Sequence, residues 1–251
     1  MGKLDGRVAI VTGGGHGVGR GIALALSAEG ARIVICGRTA QTLGSVREEI
    51  EQRGGEALDV VCDITVAAER EHLIAATMDR FGAINILVNN AAFVPHGSLL
   101  EIGDDTIADA WETGPLASLH LMRLCHPHLK GDGAVVNVSS GASIANHVPI
   151  RGIYAAVKSA LNAISRAAAN EWGPDGIRVN TIMPVAMTEP FERFMTNEPE
   201  QAQAVINNIP LRRIGDCESD IGAAVAFLVG PDARYLTGAT LPLDGGSAYL
   251  R

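Results

Sequence analysis

Val8-Ala9-Ile10-Val11-Thr12-Gly13-Gly14-Gly15-His16-Gly17-Val18-Gly19 is the stretch that decides the fold. Its first half is apolar and β-branched, which suits a buried strand. Its second half holds five glycines and runs straight into a pattern of helical period from Val18 to Glu29. A strand that turns through glycines into a helix aims backbone N–H groups and the positive end of the helix dipole at one spot, where a pyrophosphate is stabilised. Glycine is expected there because a Cβ would obstruct a close-lying anion. The spacing T-G-x-x-x-G-x-G is a variant of the G-x-G-x-x-G fingerprint. Its strand-turn-helix setting makes Gly13, Gly15, His16, Gly17, Val18 and Gly19 candidate dinucleotide contacts, against the plainer reading of a turn that serves chain geometry alone.

Outward from this turn, short β-branched runs at 7–12, 32–36, 57–62, 85–89, 134–139 and 177–182 alternate with helical stretches at 18–29, 41–53, 67–81, 106–129 and 152–172. Repeated βαβ units with right-handed crossovers predict an α/β fold: a Rossmann-type doubly wound parallel sheet of about seven strands with helices on both faces. The segment from Thr188 to Ile209 breaks the rhythm, with Pro190, Pro199 and Pro210 among Glu, Asn and Gln, and reads as a substrate lid near 188–210. A last helix over 220–229, a strand over 240–243 and the Asp244-Gly245-Gly246 turn complete the pattern. Residues 1–251 therefore read as a single dinucleotide-binding and catalytic domain, with 47% apolar residues to fill one core.

Twenty Lys and Arg against 28 Asp and Glu give a net charge of -8, which argues against nucleic acid as a partner. Cys36, Cys62, Cys125 and Cys217 contain no C-x-x-C pair, so neither a disulfide framework nor a zinc site is expected, and the setting reads as reducing. Charged Lys3, Asp5 and Arg7 lead into the first strand without a signal segment, and no apolar run is long enough to span a bilayer. The expectation is a soluble cytoplasmic protein with no membrane partner.

The carboxyl ends of the strands carry the remaining dinucleotide candidates, because ligands of open α/β sheets bind there. The second strand ends Cys36-Gly37-Arg38. An acidic residue there would grip both ribose hydroxyls of NAD, whereas Gly37 leaves room and Arg38 offers a planar cation suited to a 2′-phosphate, favouring NADP with NAD as the alternative. Stacking of Arg38 on adenine is the other use of that side chain, and His16 can add a second phosphate donor or simply be solvated. Asp63, with Ile64 beside it, ends the third strand and can accept from the adenine amino group or cap the next helix. Asn89-Asn90-Ala91 ends the fourth, where Asn89 ties strand ends together, and Asn90 and Ala91 lie along the coenzyme.

Tyr154 and Lys158 stand four apart near the start of a predicted helix, one turn apart on one face. A cation beside a phenol favours phenolate, and lowering a tyrosine by about three units is worth about 4 kcal/mol. Asn137-Val138-Ser139-Ser140 ends the fifth strand, placing a hydroxyl where it can donate to a carbonyl oxygen while Tyr154 moves the proton.

With these residues in hand, from about Gly6 to Gly246, the chain resembles the short-chain dehydrogenase/reductase family in its short single-domain branch. The T-G-x-x-x-G-x-G turn, the N-N-A segment, the strand-end serine and Y-x-x-x-K occur in the family's order. The resemblance implies hydride transfer between a nicotinamide coenzyme and a ketone or secondary alcohol. It implies Ser140 as the carbonyl-orienting hydroxyl, the second of the serine pair, Tyr154 as general acid/base, and Lys158 as ribose ligand and pKa-lowering cation. It also implies Thr188 on the nicotinamide carboxamide, Val185 beside Pro184 offering a backbone amide, and assembly as a dimer or tetramer. The family commonly has Pro-Gly where Pro184-Val185 stands. Its usual asparagine before the catalytic serine, a holder of a relay water, is missing from Asp109-Ala110-Trp111-Glu112-Thr113-Gly114; Glu112, Thr113 or a backbone carbonyl are the substitutes to examine.

The competing class is a non-catalytic dinucleotide-binding redox sensor or regulatory module, which needs the glycine turn but not Ser140, Tyr154 and Lys158 together. His96 and His147 fall in loops that the resemblance assigns to the substrate pocket, and Phe191, Phe194 and Met195 form an apolar stripe in helical register on the lid. His126-Pro127-His128 has no third metal ligand in reach and reads as charge pairing at a helix end.

Overall fold

The β-branched runs form seven strands, buried throughout at the centre of the sheet and partly exposed at its two edges. They are β1 (Val8–Thr12), β2 (Arg32–Gly37), β3 (Ala57–Val61), β4 (Ile86–Asn89), β5 (Ala134–Val138), β6 (Arg178–Pro184) and β7 (Thr240–Leu243). The computed structural model describes residues 2–145 and 149–248 and joins these strands into one sheet, ordered β3-β2-β1-β4-β5-β6-β7 with every pair parallel. Successive side chains face opposite sides of the sheet, so one strand feeds two cores. Ala9, Val11, Ile33 and Ile35 pack beneath α1 (Gly17–Ala28) and α2 (Ala40–Gln52). Val8, Ile10, Val34 and Cys36 pack against α3 (Ala67–Phe81) on the other face.

The segment expected as one helix over 106–129 is three pieces: α4 (Asp104–Trp111), a wide turn over Glu112–Leu116, and α5 (Ala117–Leu129). Gly114 leaves helical geometry at φ -92° and ψ -105°, and Pro115 has no N–H to continue the ladder. The Ser118 hydroxyl donates to the Gly114 carbonyl at 2.8 Å. The long helix α6 (Gly152–Trp172) runs over its expected range. Residues 188–210 fold largely as α7 (Glu189–Asn197) and α8 (Pro199–Asn208). The last helix starts earlier than its sequence pattern indicates, in a wide turn over Cys217–Gly222 capped by the Asp216 carboxylate, and continues as α9 (Ala223–Val229).

The order reverses between β1 and β4: β2 and β3 lie on one side of β1, and later strands on the other. The connections therefore diverge at the carboxyl ends of β1 and β4 and leave a crevice there. Away from that edge, His126 pairs with Asp175 at 2.9 Å and stacks edge-on against Trp172. Among the described residues, no helix is long and apolar enough to cross a membrane. His147 lies outside the described residues.

Candidate active site

At the crevice, the glycine turn is built into the protein. A Cβ on Gly19 would lie 2.2 Å from the Gly13 carbonyl oxygen, one on Gly14 2.5 Å from Ile35, and one on Gly15 2.7 Å from Thr42. These glycines thus answer first to close packing of strand on helix, a tighter constraint than the anion approach expected from sequence. Gly13 and Gly17 also sit at φ +64° and +53°, where a side chain is strained. Among the described residues no side chain caps α1 at His16, which leaves its first-turn N–H groups open to an anion and fits a coenzyme pyrophosphate.

Thr12, overlooked as a site residue, ties the crevice together. Its hydroxyl accepts from the N–H groups of Asn90 and Ala91, both at 3.0 Å. The Asn90 carboxamide donates to the carbonyls of Thr12 (2.9 Å) and Gly13 (3.2 Å), so that side chain holds the turn in place. Asn89 donates to Asn137 across β4 and β5 at 2.8 Å, and Asn137 donates to Ser165 on α6 at 2.8 Å, so the expected strand tie reaches one helix further.

Arg38 is exposed at the end of β2. Hydrogen bonds from Thr65, aided by the charge of Arg38, hold the Asp63 carboxyl below its usual range. Asp63 closes its own turn by accepting from Thr65 N (2.9 Å) and Oγ1 (2.7 Å), and Val66 stands at the helix cap, so the capping alternative is replaced by a local turn. Ile64 is 6% exposed, with its side chain in the core and its carbonyl taken by Arg70 at 2.6 Å.

Tyr154 and Lys158 share one face of α6, with the Lys158 Nζ 5.8 Å from the phenol ring centre. Lys158 is 3% exposed and donates to the Val138 carbonyl at 2.7 Å; burial pushes it down to about 8. The Tyr154 phenol does not follow the expected direction. Burial raises it above its ordinary 10, and the opposing pull comes from the Ser140 hydroxyl and the Arg151 charge rather than from Lys158. Ser139 points its hydroxyl at the Lys158 carbonyl (3.3 Å), whereas the Ser140 hydroxyl lies on the phenol side, where it pulls the Tyr154 pKa down against burial.

The far wall departs from expectation at Val185. Its N–H donates to the Leu243 carbonyl (3.0 Å) and its carbonyl accepts from Gly215 (3.2 Å), so the amide assigned to a nicotinamide is already used. Pro184 is the last residue of β6 and pairs with Leu243. Thr188 precedes α7 without capping it, and its methyl lies 3.6 Å from where a Gly17 Cβ would stand, so the side chain sits beside the glycine turn. Neither substitute for the missing asparagine reaches inward: Glu112 is exposed and Thr113 donates to the Asp109 carbonyl at 2.7 Å. His96 is exposed, with its Nδ1 3.1 Å from the Val94 carbonyl.

A family model described as enoyl-(acyl carrier protein) reductase matches residues 13–248. The chain belongs to the short-chain dehydrogenase/reductase family. A 12alpha-hydroxysteroid dehydrogenase of a Clostridium species is 39% identical over 98% of each chain. A solved 7-alpha-hydroxysteroid dehydrogenase, in complex with NADH and 7-oxo glycochenodeoxycholic acid, superposes at TM-score 0.91 with 33% identity, covering 98% of this chain and 95% of that one. A short-chain dehydrogenase of Burkholderia cenocepacia solved with NADP gives 0.89 and 30%, covering 98% and 99%. As a family member, this chain is an oxidoreductase that uses a nicotinamide coenzyme on a small molecule.

Proposed function

We propose that this enzyme reduces the carbonyl of an apolar cyclic ketone, of the oxosteroid class, with NADP as coenzyme. The observation that carries the reading is the Tyr154 phenol held on one face of α6 with buried Lys158, whose Nζ lies 5.8 Å from the ring, on the side where the Ser140 hydroxyl acts on the phenol. When bound, the nicotinamide delivers a hydride to the carbonyl carbon. Ser140 donates a hydrogen bond to the carbonyl oxygen, and Tyr154 passes its proton to that oxygen, giving the alcohol. Burial that raises the phenol keeps its proton available for donation to the carbonyl oxygen. One Lys158 N–H is committed to Val138, and the two that remain serve the coenzyme ribose.

Gly13, Gly15, Gly17, Val18 and Gly19 carry the pyrophosphate, and exposed Arg38, with His16, takes the 2′-phosphate. Asp63 receives the adenine amino group on its second oxygen, Asn90, Ala91 and Pro184 contribute contact surface, and Thr188 bonds the carboxamide, while Ile64 supports Asp63 from the core. Apolar Phe93, Val94 and Ile150 stay exposed, and the Gly97 N–H ties their loops together at the Ile150 carbonyl, which supports a bulky apolar substrate, as do the hydroxysteroid relatives. The α7–α8 pair closes over this site as a lid. Association into a dimer or tetramer is supported by large apolar side chains left at the surface, Leu100, Phe227 and Tyr235 among them.

Tyr154→Phe should lower ketone turnover by about 10²- to 10⁴-fold while NADPH binding, followed by fluorescence, is kept. Undiminished turnover would overturn the mechanism. Parent protein should bind NADPH more tightly than NADH, and Arg38→Asp should reverse that order; equal binding by the parent removes the phosphate role of Arg38.

A further inference from the structure

Ser140 lies two residues beyond β5 and caps a three-residue turn over Gly141–Ser143, and a chain of hydrogen bonds fastens that turn to α6. Asn162, 6% exposed, lies one helical turn after Lys158 and two after Tyr154 on the same face. Its carboxamide nitrogen donates to Ser143 Oγ at 2.9 Å, and Ser143 Oγ donates to the Ser140 carbonyl at 2.7 Å. The Ser159 hydroxyl, also on α6, donates to the Ser143 carbonyl at 3.0 Å, and the Ala142 N–H donates to Ser140 Oγ at 3.2 Å. The helix that carries the phenol and the ammonium therefore also sets the position of the serine.

We propose that Asn162, acting through Ser143, is a positioning residue that fixes the Ser140 hydroxyl relative to Tyr154. The inference rests on Ser140 orienting the substrate carbonyl. Stability alone does not explain an asparagine here: its Oδ1 is buried with no hydrogen-bond partner among the described residues, a loss that a leucine would avoid. What leucine cannot do is hold Ser143. Misplacing a reacting group by a fraction of an ångström to 1 Å raises the barrier without touching substrate affinity, so the effect belongs in kcat.

The test is a double-mutant cycle with NADPH and whichever cyclic ketone the parent reduces fastest. Asn162→Leu and Ser143→Ala should each lower kcat by about 10- to 100-fold, with KM for ketone and NADPH affinity within about twofold of the parent. Thermal stability of Asn162→Leu should match or exceed that of the parent. In a Ser140→Ala background, neither substitution should lower the residual rate further. Equal losses in the Ser140→Ala background and in the parent would overturn the inference, as would an unchanged kcat in both single variants. If Ser140→Ala itself keeps full turnover, the role given to Ser140 is what fails and the inference falls with it. Should Asn162→Leu not fold, Ser143→Ala carries the same cycle.

Discussion

Lys158 puts a cation in the interior beside the phenol of the proposed mechanism. Its folded pKa of about 8 lies below the ordinary 10.5, so burying the ammonium costs about 3 kcal/mol at neutral pH. The sign follows from proton counts: between about 8 and 10.5 the unfolded chain binds the extra proton, so stability rises with pH across that window, and below about 8 the full penalty stays. Lys158→Met removes the penalty and loses the hydrogen bond to Val138, worth about 1 kcal/mol. The variant should be inactive yet about 2 kcal/mol more stable in urea at pH 7, with the gain shrinking toward pH 10. A variant less stable than the parent at pH 7, or a gain independent of pH, would show that the ammonium is not strained by burial.

At the scale of elements, the glycine turn and α2 make a controlled pair. Gly19→Ala places a methyl 2.2 Å from the Gly13 carbonyl oxygen, a contact that only movement of the turn can relieve, and should cost about 1–3 kcal/mol. Gly44, inside α2, has open space where its Cβ would stand, so Gly44→Ala should stabilise by about 1 kcal/mol. Urea midpoints of the two variants must move in opposite directions; a shift of the same sign would mean that packing in the turn is slack. The strand-helix rhythm was legible in the chain because β-branched runs and 3.6-residue periods are local. The break at Gly114 lay in plain view as a Gly-Pro pair, but the apolar period on either side reads as continuous, which hides it. Tyr154 and Lys158 are paired by local spacing, whereas the choice of Ser140 over Ser139 comes only with the family resemblance. The commitments of Val185 to Leu243, of Asn90 to Gly13 and of Asn162 to Ser143 join residues far apart in the chain, and no window of sequence contains them. The direction of the Tyr154 shift escaped for the same reason, since burial is a property of the whole fold.

Across the molecule, the sheet and the α7–α8 pair differ in how they are held. The strands of the sheet centre are buried, whereas α7 keeps every residue at least partly exposed and α8 buries only Ala202. The pair is anchored at both ends. At its start, Thr188 abuts Gly17 of the glycine turn. At its end, Ile209 and Pro210 pack on Gly245 and Gly246, in a turn fixed by buried Asp244, whose carboxylate accepts from Gly246 (2.9 Å) and Ala248 (2.7 Å). A segment with firm ends and little buried area opens locally at far lower free energy than the sheet. Amides of 189–208 should therefore exchange with deuterium well before those of β1, β4 and β5. Since the anchor on the coenzyme side is Thr188, saturating NADPH should slow exchange most in α7 and less in α8. Exchange in the pair as slow as in β1, or α7 protection unmoved by NADPH, would mean that these helices are a fixed wall and that substrate enters without their opening.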